Sequence, residues 1–285
     1  MMKNGLFVGL VTLDILYLTD EFPERNQKVV ATNDTIAAGG PATNAAVTFS
    51  YYKNQASILG AIGKHPLSSI IQSDLEACLV QGIDLDRDRV NSPPVSSTII
   101  TGSTGDRAVI SVNAVKSQAH IAAIPPDILA DVDIVLIDGH QMIVGADLAQ
   151  QAKAKKIPVV VDGGSWKPGF EKVLGNTDYA IVSANFLPPG CQDQVEVFAY
   201  LQNQQIPHIA LTNGEKPIQY LSKGKRGELP VPQIIAVDTL GAGDIFHGAF
   251  CHYILQTNFI EALSSSAKIA AFACQFLGTR EWMQR

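Results

Sequence analysis

Apolar residues along this chain fall into two alternating patterns. Short continuous runs, several rich in β-branched residues, alternate with longer stretches whose apolar positions recur every three or four residues. Runs at 5–12, 56–62, 132–137, 157–161, 179–183 and 208–212 predict buried strands. The longer spacing predicts helices over 43–52, 67–79, 144–155, 195–203, 242–255 and 259–276. The 67–79 helix has Pro66 near its start, and Gly82 is placed just past its end. In the last helix Ile260, Leu263, Ala267, Ala270, Ala271 and Cys274 form one stripe. Strands apolar at nearly every position, alternating with helices, predict an α/β fold with a parallel sheet covered on both faces.

Two regions break the alternation. Residues 14–38 carry Val29, Ala31 and Ile36 without helical period, and 95–112 holds two short strand-like runs, 98–101 and 108–112, around a turn-like 102–106. Both predict exposed antiparallel strands, inserted at distant points of the chain yet able to form one small sheet beside the large one. No internal repeat or low-complexity tract is present.

Composition narrows the class. With 285 residues, 46% of them hydrophobic and 17% charged, the chain can bury a full core. A net charge of −6 disfavours nucleic acid or an anionic membrane surface as partner. Cysteines at 78, 191, 251 and 274 form no CxxC pair, which fits a reducing cytoplasm better than a disulfide scaffold. His247 and Cys251 share a helix face, but two ligands without a third read as core rather than zinc. Near the N-terminus Lys3 precedes an apolar run that is too short to span a bilayer and lacks a small-x-small cleavage site. It is read as the first strand.

The sharpest local signal is Asp238-Thr239-Leu240-Gly241-Ala242-Gly243-Asp244, followed by an apolar helix. Glycines there permit a tight turn and close approach of backbone to a ligand. Unbonded N–H groups and the positive dipole end of the helix make an anion site. A carboxylate at Asp244 would oppose an anion unless it had its own task. Taking the proton from a hydroxyl that attacks a phosphoryl group is such a task. The plain alternative is an aspartate capping a helix. A second segment, Gly39-Gly40-Pro41-Ala42-Thr43-Asn44, pairs glycines with a side chain that both donates and accepts. Alone it reads more readily as an ordinary loop-to-helix turn.

Together, GG-x-x-x-N early and DT-x-GAGD late resemble the signatures of the ribokinase-like carbohydrate kinases, the PfkB family, over essentially the whole chain. The resemblance implies a three-layer α/β/α sandwich with a mostly parallel central sheet and a small β lid. It places the main domain at 1–12, 39–92 and 113–285 and the lid at 13–38 and 93–112. It implies ATP and Mg2+ as phosphoryl donor and metal, and a sugar as acceptor. Asp244 would be the base, and the backbone of Gly241, Ala242 and Gly243 the anion hole. Gly39, Gly40, Asn44 and Asp14, the last placed at the end of the first strand, would hold the sugar. Thr212 and Gly214 match the nucleotide-site T-x-G, and Asp238 matches a position that in some members binds a monovalent cation such as K+.

The chain also departs from the family pattern. The stretch Ser183-Ala184-Asn185-Phe186 has no glutamate of the N-x-x-E type, and Gly63-Lys64-His65 replaces Gly-Asp-Asp. Pro217 stands where a third glycine is usual beside the nucleotide. With Gly9–Asp14, the first two departures point to the ketohexokinase-like branch. Lys167, in the Gly-rich loop Asp162-Gly163-Gly164-Ser165-Trp166-Lys167, reads equally as a ligand of ATP phosphates and as a solvated side chain. A ketohexose, a pentose or a nucleoside fits the motifs equally, and a non-catalytic sugar or nucleotide sensor is the rival class. Exposed lid strands predict a homodimer formed through the lid.

Overall fold

A computed structural model describes residues 2–102, 106–112 and 118–285. Its first strand, β1 (Asn4–Val8), is central in a large sheet. The other parallel members are β4 (Gln55–Gly60), β5 (Val80–Asp84), β8 (Ile134–Ile137), β9 (Val159–Gly163), β10 (Tyr179–Ser183) and β11 (His208–Asn213). An antiparallel hairpin, β12 (Lys216–Ser222) and β13 (Lys225–Leu229), extends one edge, giving the order β13-β12-β11-β10-β9-β8-β1-β4-β5.

Helices cover both faces. On one lie α1 (Pro41–Tyr51), α2 (Pro66–Ala77), α6 (Ala242–Ile254) and α7 (Phe259–Ala273), and on the other α3 (Met142–Ala154), α4 (Phe170–Leu174) and α5 (Gln194–Asn203). Alternate residues of one strand therefore enter different cores. Phe7 and Val160 pack with the first set of helices, and Leu6, Val8, Val159 and Val161 with the second. Burial on both faces is why these strands read as unbroken apolar runs. The arrangement is the three-layer α/β/α sandwich that the resemblance implies.

A second sheet has the order β3-β2-β6-β7, from β2 (Thr12–Thr19), β3 (Asn33–Gly39), β6 (Val95–Thr101) and β7 (Arg107–Ser111). Its inner face packs Leu16 and Ile100 against Leu277, with Leu18 and Leu240 beside them.

Several sequence expectations are corrected. The run 5–12 is not one strand: β1 stops at Val8, and Thr12 already belongs to β2. The break is at Gly9, where a Cβ would collide with the Asp138 carboxylate, and Leu10 gives its N–H to Asp138 Oδ2 at 2.8 Å. Asp14 accordingly sits inside β2, in the small sheet, and not at the end of the first strand. The small sheet is not wholly antiparallel, because β2 and β6 pair in parallel, Leu13 opposite Val95. Gly82 is no helix stop but lies within β5. Of the expected turn at 102–106, residues 103–105 lie outside the described residues, as do 113–117 at the start of the expected third main-domain segment.

Candidate active site

Parallel strands end on one side of the sheet, and the chemistry gathers there, as open α/β sheets dictate. Gly241, the N-cap of α6, has φ +71°, a left-handed conformation that any side chain would strain. A Cβ on it would also lie 2.5 Å from Thr279 Cγ2. The turn aims the first N–H groups of the 13-residue helix α6 at one spot. Asp244 stands in the first turn of that helix. Its Oδ2 accepts a 2.8 Å hydrogen bond from Asn44 Nδ2, so the early and late motifs meet although 200 residues apart.

Burial pushes the Asp244 carboxyl up to about 7, and the charges of Asp162 and Asp14 add to this, while Asn44 and His247 oppose it. A carboxyl tuned to that range is suited to accept a proton near neutral pH. Asp14 is also raised by burial, against a hydrogen bond from Thr12 Oγ1 (2.7 Å) and the charge of Arg280. The Asp14 carboxylate lies against Gly39, where any Cβ would overlap it. Gly40, with φ +101°, begins α1 against the Leu10 carbonyl. Asp14, Gly39, Gly40, Asn44 and Asp244 are thus brought to one place.

Beside the glycine turn opens a cavity of about 430 Å³. Its lining includes Thr212, Gly214, Ala242 and Gly243 together with the apolar Val231, Ile234, Ala267 and Ala271. Lys167 is not among its lining residues; its ammonium folds back on Ser165, 3.2 Å from Oγ. Asn185 is exposed on the loop after β10. Asp238 is buried and raised by burial; its oxygens accept the N–H groups of Leu240 and Gly278, each at 2.8 Å. It anchors the loop that carries the glycines. A larger cleft of about 1240 Å³ lies at the opposite end of the sheet, by Asn4, Gln55 and Gln81 at the strand starts, away from these groups.

The profile of the pfkB family carbohydrate kinases matches residues 2–284. The chain belongs to that family. Among its relatives, a ribokinase of Bacillus subtilis (strain 168) is 22% identical over 279 residues, covering 95% of this chain and 92% of the relative. A deoxyribokinase of Salmonella typhi is 23% identical over 295 residues, covering 96% and 93%. The structure of Arabidopsis thaliana ribokinase complexed with ribose and ATP superposes with a TM-score of 0.78 at 19% identity, covering 100% of both chains. This carbohydrate kinase is accordingly a phosphotransferase with an alcohol group as acceptor.

The same cleft holds residues to which the sequence assigned no role there. Arg107, on β7 of the small sheet, reaches across to Thr239 Oγ1 (3.2 Å) and lines the cavity. Asp138 at the end of β8 is buried; burial pushes its carboxyl up, but His140 and N–H donors outweigh this and hold it below the usual range. Its oxygens fix Leu10, Ala42 and His140 and so shape the loop before α1. Asp162, next to the last residue of β9, is buried and raised by burial, facing His247 at 3.4 Å. His247, read as a core residue, places its ring nitrogens on the carbonyls of Gly243 (2.6 Å) and Ile181 (3.1 Å). A polar residue ending an apolar strand is a signal shared by Asp138 and Asp162, visible in sequence at both. Arg107 gave none, since its partner is 132 residues away.

Proposed function

We propose that this kinase transfers the γ-phosphoryl group of ATP to a sugar hydroxyl, with Asp244 as the base. The hydroxyl oxygen attacks the γ-phosphorus in line, its proton passes to an Asp244 carboxylate oxygen, and ADP departs. The N–H groups behind Gly241–Gly243 would take the charge that spreads over the transferring group. Supporting this reading most directly is the Asp244 carboxyl, raised to about 7 and held by Asn44 in the first turn of the same helix.

ATP would occupy the cavity beside the glycine turn, whose lining joins the backbone of Ala242 and Gly243 to apolar side chains such as Val231 and Ile234. Thr212 and Gly214 would border the phosphates, and Arg107 would bring a fork of donors from the lid. Mg2+ supplies charge neutralisation to the phosphates when bound. Among the described residues no group of three or more His, Cys, Asp or Glu side chains is placed to hold a metal. The metal is therefore assigned to phosphate and water ligands. The sugar would lie between Asp14, Gly39, Gly40, Asn44 and Asp244, under the small sheet acting as a lid over 13–38 and 93–112. The apolar cluster of Leu16, Ile100 and Leu277 joins that sheet to the main body, and closure there would exclude water and limit loss of phosphoryl to hydrolysis.

ADP release with MgATP against ketohexoses, aldoses, pentoses and nucleosides tests the reading. One acceptor raising turnover well above background, and losing that effect in Asp244→Ala, is the expected result. Binding without turnover for every acceptor would replace it with the sensor. Higher turnover in potassium than in sodium, lost in Asp238→Asn, would assign a K+ role.

A further inference from the structure

One arginine on the sugar side of the cleft belongs to neither motif. Arg280 follows Thr279 near the end of the chain, with its side chain almost wholly enclosed. Its Nη1 donates to Asn44 Oδ1 (3.0 Å) and Thr279 Oγ1 (2.8 Å). Its Nη2 donates to the Ala38 carbonyl (2.6 Å) and to Asp74 Oδ2 (3.2 Å). Asp74 Oδ2 also accepts the Ala38 N–H at 2.9 Å. The Asp74–Arg280 pair therefore grips both backbone groups of Ala38, the residue before Gly39-Gly40 where β3 passes into α1.

An amide side chain has one accepting end and one donating end, and a guanidinium can only donate. Arg280 thus fixes which way Asn44 points. Oδ1 faces Arg280, so Nδ2 faces Asp244, and an N–H donor there favours the carboxylate over the acid. Without the guanidinium the amide is free to turn over. Its carbonyl oxygen would then meet Asp244, a contact that only the protonated acid can satisfy.

We propose that Arg280 is a positioning residue that ties the end of the lid strand to the amide of Asn44 and so keeps Asp244 ready to accept a proton. The inference rests on the reading of Asp244 as the base. Four groups face Asp244: Asp162 from β9, His247 one turn further along α6, Asp14 from β2, and Asn44 from α1. Arg280 controls the orientation of Asn44 alone, although its charge also reaches Asp14.

The test follows the Asp244 carboxyl carbon by 13C NMR in ligand-free full-length protein, its signal assigned by its loss in Asp244→Asn. Arg280→Met is expected to raise the titration midpoint by about one unit, a roughly tenfold fall in the ratio of ionised to protonated Asp244 at any given pH. Arg280→Lys keeps a charge but not the fork, and should fail to restore the midpoint. Asp74→Asn, which loosens the guanidinium from the other side, should move it the same way by less. In an Asn44→Ala background Arg280→Met should add no further shift. An unchanged midpoint in a folded Arg280→Met or Arg280→Lys protein overturns the proposal, as does an equal shift in the Asn44→Ala background. Turnover retained in Asp244→Asn, with the titration shifts still present, would instead remove the base reading and leave the coupling standing.

Discussion

At the scale of single residues the account turns on carboxylates with different tasks. As the proposed base, Asp244 would have to be ionised, so kcat/KM is expected to rise with pH through about 7 and level off above it. The same shift has the opposite sign for stability. A carboxyl raised above its ordinary 3.8 binds its proton more tightly in the folded state. Its contribution is full below the unfolded value and is lost as pH rises from about 4 to about 7. Asp244→Asn is therefore expected to melt above wild type at pH 8, measured by thermal unfolding, while losing turnover. Gly241→Ala should instead lower stability. A left-handed alanine costs about 1–2 kcal/mol before its Cβ meets Thr279, so both the melting temperature and ATP binding should fall. The turn at Gly241 and the carboxylate of Asp244 stood out because glycine freedom and a charged helix start are local properties, whereas Asn44 read alone as an ordinary turn residue and drew notice only through the resemblance. Arg280 was not legible, since its partners Ala38, Asn44 and Asp74 are all more than 200 residues away and no local pattern marks them.

Among the elements, the buried parallel strands and the long helices were legible because each has its own period. The misreadings have a common physical origin in position within a sheet. The hairpin β12–β13 is an edge feature with polar residues on it, and β5 is a short edge strand, so neither carries the apolar run that marked the central strands. The join between β1 and β2 looked continuous because Gly9–Val11 is as apolar as the strands it connects; what ends β1 is Asp138, from a distant element. Strand β7 puts Arg107 where the small sheet meets the glycine loop, through Thr239. Arg107→Ala should weaken ATP, read as a higher KM for ATP, and lower kcat, with the melting temperature nearly unchanged because the side chain is exposed.

For the whole molecule, the small sheet has an outer face that carries exposed apolar residues, and among the described residues β3 and β7 end it with no further strand. Register puts Tyr17, Ile36 and Ile110 on its outer side, 40%, 51% and 76% exposed. Strand β7 ends the sheet with no neighbour among the described residues. An open edge beside exposed apolar residues favours pairing with a second copy. Light scattering at micromolar concentration should give the mass of a dimer, and Ile110→Lys should shift it toward that of a monomer. The enzymatic account itself is tested most directly by coupled ADP release with MgATP and the acceptor panel, comparing wild type with Asp244→Asn. Turnover with one acceptor, reduced on the order of 10²–10⁴-fold in the folded variant, is the expected result. Turnover in Asp244→Asn within a few-fold of wild type would contradict the central claim.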